Sequence, residues 1–263
     1  MKISMITIAF NSEKTIEDTI RSVITQKASE LEYIIIDSKS TDKTIDIVDK
    51  YKDNRFKVIS EKDGGISDAF NKGVKLATGE IIGIINSDDV LMPEALTVVE
   101  KTFDSQPDTD IVYGNVIRFM NTVNDGYEVK PCTDLEKMKY KFLLNHPAIF
   151  IRKSAYQKYG FFSLDYKCAM DYELISKMYF SGAKFFYLDK ALAAFREGGV
   201  SDVKFTQTMR EHKIVAKRNG AGKVQLFLHI CKLYLRRYLL RIAKSLKVEK
   251  VLRKYIKKQR YSK

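Results

Sequence analysis

Apolar residues along the first hundred positions recur in two alternating rhythms. Short runs that are apolar on both faces, ISMITIAF (3–10), EYIIID (32–37), FKVIS (56–60) and EIIGII (80–85), have the length and β-branched content of buried strands. Between them stand stretches with a helical period. SEKTIEDTIRSVITQ (12–26) sets Ile16, Ile20, Val23 and Ile24 on one face, STDKTIDIVDKY (40–51) begins with Ser40 or Thr41 as its cap, and GISDAFNKGVKLA (65–77) supplies the third helix. Strands without a polar face that alternate with helices predict a parallel, right-handed sheet covered on both sides.

The rhythm changes near Pro93. PEALTVVEKTF reads as a helix with proline at its first position, DIVYGNVIRF as a strand, and GYEVKP and HPAIFIRK as short isolated extended pieces. In CAMDYELISKMYFSGAKFFYL a helix begins near Asp171 and Gly182 ends it before another strand. The expected organisation is α/β: a Rossmann-like, mostly parallel sheet flanked by helices over residues 1–115, a mixed region over 116–205, and a basic helical tail over 206–263.

Open sheets of this kind bind ligands beyond the carboxyl ends of their strands. The informative positions are therefore the polar ones that follow each run: Thr7, Ala9 and Asn11; Asp37, Ser38 and Ser40; Glu61, Asp63, Gly64 and Gly65; Asn86, Ser87, Asp88 and Asp89. Acids facing a common crevice repel one another unless a cation or donor compensates. Oxygen-rich sets such as Asp88 and Asp89 suit Mg²⁺ or Mn²⁺, which bridge to phosphates; the same pair could instead cap the helix near Pro93. Asp37 has two readings as well, a carboxylate for a nucleobase or ribose, or a cap for the next helix. Ser67 and Asp68 open a helix whose N-terminus favours phosphate. Asp171 stands where either an N-cap or a catalytic acid would.

Composition narrows the class. At 263 residues with 45% hydrophobic content the chain can bury a substantial core. Three cysteines, with no C-x-x-C spacing, suggest neither a disulfide framework nor a zinc site and fit a reducing compartment. The net charge of +13 is uneven: from Met209 onward 18 Lys and Arg face two Glu, leaving 28 against 31 before it. The tail sets Leu226, Ile230, Leu233, Leu240 and Leu246 among basic residues and tyrosines, including Tyr255, which suits either an anionic membrane interface or a helix packed on the body. With no apolar stretch of about 18 residues and no signal peptide, the expected location is cytoplasmic, peripheral on the inner face of the plasma membrane. Nucleic acid could follow the tail's charge, but the acidic crevice would then be unexplained. A dinucleotide fold lacks G-x-G-x-x-G here, and NGAGKV lacks the residues of a Walker loop.

TIAFN, IDSKSTDKT, EKDGGISDAFNKG, INSDDVLMP and MDYEL occur in this order across residues 3–205, and together they resemble the family 2 glycosyltransferases. The resemblance implies a GT-A fold, a nucleoside diphosphate sugar as donor, Mn²⁺ or Mg²⁺ as cofactor, and a saccharide or lipid-linked acceptor. A sugar nucleotidyltransferase is the enzyme alternative, although its Gly-rich, basic start is missing. Carried over by position, Thr7, Ala9 and Asp37 fall on the base and ribose, Asp88 on the metal-binding acid with Asp89 as supplement, and Asp171 on the base that deprotonates the acceptor. Asn11, Asp63, Gly65, Asp68, Asn86, Ser87 and Arg196 complete the donor set, and His146 lies near the acceptor. Two positions depart from the family: Asn86 replaces an acid, and Met170 stands where a glutamate usually precedes the base. Gly198, Gly199 and Ser201 read as a loop closing over the donor or as a turn, and His212 and His229 as incidental.

Overall fold

The computed structural model describes residues 1–198 and 204–245. Gly199, Ser201, Leu246 and Tyr255 lie outside the described residues. Four parallel strands form one half of the sheet: β1 (Lys2–Ala9), β2 (Glu30–Asp37), β3 (Phe56–Ser60) and β4 (Ile81–Ile84). They are linked by α1 (Ile16–Ile24), α2 (Thr44–Tyr51) and α3 (Ile66–Leu76). Alternation within each strand sends residues to two different cores. Ile34 and Ile36 join Ile6, Ile82 and Ile84 against Phe70 and Val74 of α3, whereas Tyr33 and Ile35 join Met5 and Ile81 against Ile16, Ile20 and Val23 of α1. This two-sided burial is why no polar face was visible in the strands.

The sheet continues through β6 (Ile111–Phe119), β8 (Ile149–Arg152) and β9 (Phe185–Arg196), with β7 (Tyr127–Val129) on β6 and the two-residue β5 (Val90–Leu91) on β9. Among the described residues its order is β3-β2-β1-β4-β8-β6-β9-β5. β8 runs antiparallel between β4 and β6, so the sheet is mixed in this half, and the IFIR of HPAIFIRK is an interior strand rather than an isolated one, while His146–Ala148 before it form a 3₁₀ turn. The helices here are α4 (Ala95–Ser105), α5 (Lys153–Tyr159) and α6 (Met170–Phe180). α5 has no sequence-stretch expectation behind it. Pro93 is not the first helical residue: Glu94 takes a left-handed φ of 62° and α4 starts after it. Gly182, at φ 89°, follows α6 as expected. The tail forms α7 (Phe205–Arg218) and α8 (Lys223–Ser245).

One glycine sets the spacing between helix and sheet. A Cβ at Gly73 in α3 would come within 2.5 Å of Ile6 Cγ2 on β1, and both are buried. Gly73→Ala is expected to lower stability by about 1–3 kcal/mol through overpacking, read as a lower urea midpoint at unchanged slope; an unchanged midpoint would show that α3 lifts freely from the sheet.

Candidate active site

The loops after β1, β2 and β4 are tied to each other by side chains. β1 ends at Ala9, and Asn11 turns the chain at φ 48°, a conformation asparagine tolerates. The Asn11 N–H donates to Ser40 Oγ at 2.9 Å, and its Oδ1 accepts the Thr41 N–H at 2.8 Å. Ser12 Oγ lies 2.7 Å from Ser87 Oγ in the loop after β4. After β3, Asp63 accepts the Gly65 N–H at 2.9 Å, and Gly65 at φ 114° enters α3 in a conformation closed to most side chains. These loops floor one cavity of about 1760 Å³, lined by Ala9, Asn11, Asp63, Gly65, Asn86, Ser87, Asp88, His146, Asp171 and Arg196 among others.

Four of the expected site residues do not line it. Thr7 is buried, its hydroxyl 3.0 Å from the Tyr33 hydroxyl inside the α1-side core. Asp37 is fully buried; its carboxylate accepts the Ser40 N–H and hydroxyl and the Ser60 hydroxyl, so it closes the turn after β2. The neighbouring Ser38 faces the cavity instead. Asp68 accepts the Gly64 N–H at 2.9 Å, a bond that holds its carboxyl below the usual range, and thereby braces the Gly64–Gly65 turn. Asp89 is buried, with one oxygen accepting the Arg196 N–H at 3.0 Å and the other the Asn86 amide at 3.2 Å. It fastens the end of β9 to the loop after β4. The helix-capping alternative for Asp88 and Asp89 is absent too, since α4 has no side-chain cap.

Burial shapes the electrostatics of what remains. Desolvation pushes Asp88 above the usual carboxylate range, and pushes Asp89 well above it with the charge of Asp88 adding to the effect. Arg196 offsets part of this. Its Nε donates to the Asp88 carbonyl at 3.3 Å, and its guanidinium sits 4.6 Å from the centre of the Phe119 ring. Asp171, the second residue of α6, is not the N-cap, which is Ala169. Its Oδ1 accepts the Tyr172 N–H at 2.7 Å, and burial raises its pKa to about 6. A carboxylate held near neutrality can take a proton efficiently. His146 stacks on Phe70 at 5.0 Å, and burial lowers it to about 4, so it is a neutral ring in the wall.

Among the described residues no group of three or more His, Cys, Asp or Glu is gathered around a common point. A hard cation needs less than that: Mg²⁺ is commonly held by one or two carboxylates, with phosphate oxygens and water completing the shell. Asp88 opens on the cavity, and because the Asn86 amide nitrogen is spent on Asp89, the Asn86 amide oxygen is the atom left for a ligand. This all-oxygen pair fits Mg²⁺ or Mn²⁺ shared with a diphosphate.

Several cavity residues had no expectation attached. Arg118 of β6 lies over the Phe195 ring at 5.2 Å with a buried Nε that has no hydrogen-bond partner among the described residues. His212 and His229, read as incidental, both line the cavity because α7 and α8 fold back over it.

A curled, mostly parallel sheet with a crevice of about 1760 Å³ beyond its strand ends has the layout of a GT-A fold. The chain belongs to glycosyl transferase family 2, whose family model matches residues 4–167. Over 205 residues it is 28% identical to a PGL/p-HBAD biosynthesis glycosyltransferase of Mycobacterium bovis, covering 76% of this chain and 78% of that one. The S. aureus TarS fragment 1–349 in complex with UDP aligns at a TM-score of 0.64 and 25% identity, covering 82% of this chain and 65% of that one. The mannosyltransferase PcManGT of Pyrobaculum calidifontis, in complex with GDP-Man and Mn²⁺, shares the fold at a TM-score of 0.67, with 17% identity over 99% of this chain and 81% of that one.

Proposed function

We propose that this glycosyltransferase moves a hexosyl group, with inversion, from a nucleoside diphosphate sugar, UDP-linked, to a saccharide or lipid-linked saccharide in the assembly of a cell-surface polysaccharide or glycolipid. The observation that carries this reading is the opening of Asp88 and Asp171 onto one cavity, with Asp171 near neutrality. TarS in complex with UDP and PcManGT in complex with GDP-Man and Mn²⁺ support a donor of this class, and the mycobacterial relative supports a glycolipid-type product.

In the proposed reaction the acceptor hydroxyl attacks the anomeric carbon as Asp171 takes its proton. A carbon–oxygen bond to the acceptor forms, the bond to the diphosphate breaks, and its electron pair leaves with the diphosphate. Attack from the face opposite the leaving group inverts the centre, and no covalent enzyme intermediate arises. Asp88, with Asn86, would hold Mn²⁺ or Mg²⁺, which neutralises charge on the diphosphate. Ala9, Asn11, Ser38 and Asp63 serve the nucleotide end, and Arg196 stiffens the loop that carries Asp88. Asp37, Asp68 and Asp89 act one layer back, by holding these loops in shape.

The tail reading follows from α8, which exposes Phe227, Leu228, Leu235, Tyr238 and Leu239 in a strongly basic segment. No helix among the described residues is long and apolar enough to cross a membrane. A peripheral seat on an anionic inner leaflet accounts for both properties.

A thermal-shift panel tests the donor assignment, because a ligand selective for the folded state raises its melting point. Among UDP, GDP, dTDP and CDP sugars, the UDP sugar is expected to stabilise the protein most, and more strongly with Mn²⁺; a response to another nucleotide instead would move the donor from UDP to that nucleotide. No response to any of them would overturn the proposal.

A further inference from the structure

α6 starts without a side-chain cap of its own, because its N-cap is Ala169, and the residue before Asp171 is Met170, a core side chain with no charge to offer. The segment that leads into this helix nevertheless forms cavity wall, since Lys167, Cys168 and Asp171 all line it. A loop that carries the proposed base at such a wall needs a group to hold it.

That group comes from the tail. Glu211 of α7 is one of the two glutamates that accompany 18 Lys and Arg from Met209 onward. It is buried, and its Oε2 accepts the N–H groups of Lys167 at 3.1 Å, Cys168 at 2.8 Å and Ala169 at 3.0 Å. Its Oε1 accepts the Gln207 amide at 2.9 Å. Three consecutive N–H groups turned onto one oxygen make an anion-binding concavity at the start of a helix, where negative charge is favoured. Burial opposes the charge on Glu211, but these hydrogen bonds hold its carboxyl below the ordinary glutamate range. Two turns along the same face of α7 stands Arg218. Its Nη1 pairs with the Glu173 carboxylate, and its Nη2 donates to the Glu173 carbonyl at 3.1 Å. Between the two, Val215 packs into the same core as Ala169, Met170 and Tyr172. Asn219 closes the junction by donating to the Met138 carbonyl at 3.2 Å, the same oxygen that accepts the Tyr172 hydroxyl at 2.7 Å. α7 thus grips α6 immediately before Asp171 and again two residues after it.

We propose that α7 is a working part of the active site, and that Glu211 and Arg218 are positioning residues that fix the first turn of α6 and, through it, the direction of the Asp171 carboxylate. The proposal rests on the glycosyl-transfer reading above. It gives the tail a role inside the enzyme in addition to its outward face.

The test is a double-mutant cycle on the full-length chain. A group misplaced by about 1 Å can cost on the order of 10²-fold in rate, so Glu211→Ala is expected to lower kcat by about 10- to 10²-fold. The donor KM should stay within about twofold, since the lost interaction acts on the reacting groups and not on donor binding. Glu211→Gln should recover most of the loss, because an amide oxygen in the same place still accepts the N–H groups. Residues that act through one another are not additive, so in the Asp171→Asn background Glu211→Ala should cost less than about twofold. Arg218→Lys keeps the charge but not the fork that reaches both the carboxylate and the carbonyl of Glu173. It should lower kcat severalfold with Asp171 in place and not without it. An unchanged kcat in Glu211→Ala, or equal losses in both backgrounds, as general damage to the fold would give, overturns the role of Glu211; the same outcomes for Arg218→Lys overturn that of Arg218. Hydrogen exchange on the wild-type chain needs no variant: the Cys168 and Ala169 amides should be protected although they precede the helix, and exchange at the free-peptide rate would also overturn the grip. Turnover retained in Asp171→Asn would remove the base itself. Loss in that variant beside a wild-type kcat in Glu211→Ala would sink the positioning role alone.

Discussion

Asp171→Asn is expected to reduce transfer by about 10²–10⁴-fold, the usual contribution of a positioned general base, and to leave donor binding intact. Asparagine keeps the volume and can still accept the Tyr172 N–H that Oδ1 accepts now, so the helix start is preserved. The same substitution should stabilise the protein at neutral pH. Asp171 has a folded pKa of about 6 against an ordinary value of 3.8. A raised pKa means the folded state binds the proton more tightly. The relative stability this gives is full below about pH 4 and is lost as pH rises through about 6. Two units correspond to roughly 3 kcal/mol. Melting curves of wild type and variant should therefore coincide near pH 4 and separate by several degrees above pH 6.5, with the inactive variant the more stable. Equal melting points at both pH values would mean that Asp171 is not desolvated, and turnover retained in the variant would remove it as the base. For the wild type, transfer should fall by about tenfold for each pH unit below 6.

Asp88→Ala should remove the metal-dependent part of donor affinity. Asp88 is the only carboxylate of the loop after β4 that lines the cavity, because Asp89 is spent on Arg196 and Asn86. Without it the loop offers the cavity only neutral side-chain oxygens, those of Asn86 and Ser87. Transfer is expected to drop by roughly 10²-fold or more, the scale of several kcal/mol of lost charge stabilisation. Titration of the nucleotide should become insensitive to Mn²⁺. Asp89→Ala is expected to behave differently: it should lower stability, since it frees the Arg196 N–H and the Asn86 amide inside the protein. If Asp89→Ala abolished Mn²⁺ sensitivity while Asp88→Ala kept it, the roles given to the two acids would be reversed.

The parallel half of the fold was legible because its signal is local. Runs such as YIIID can only be satisfied by burial on both faces, and helices at the 3.6-residue period supply that burial. The antiparallel insertion of β8 was not legible: IFIR is too short to carry a direction, and its partners β4 and β6 are set by long-range pairing. For the site, sequence placed carboxylates at the strand ends correctly but could not tell which way each one turns. Asp37 carried a usable clue. Ser40 stands three residues on, and Ser60 pairs with Asp37 in the register of β2 and β3, so a hydroxyl cage around the carboxylate was implicit in the pairing. Asn86 and Asp89 have the same i, i+3 relation. His212 and His229 were read as incidental because nothing local says that a basic tail folds back over the cavity. The signal available was that His229 shares a helix face with Leu226 and Leu233, the face that packs inward.

Anomalous scattering from crystals grown with Mn²⁺ and the responding nucleoside diphosphate tests the central claim most directly. A manganese peak about 2 Å from an Asp88 carboxylate oxygen, with the diphosphate on the same ion and the Asp171 carboxylate facing the same cavity without touching the metal, is the predicted result. A peak held by other residues, or a nucleotide bound where Asp88 and Asp171 do not both face it, would contradict the account.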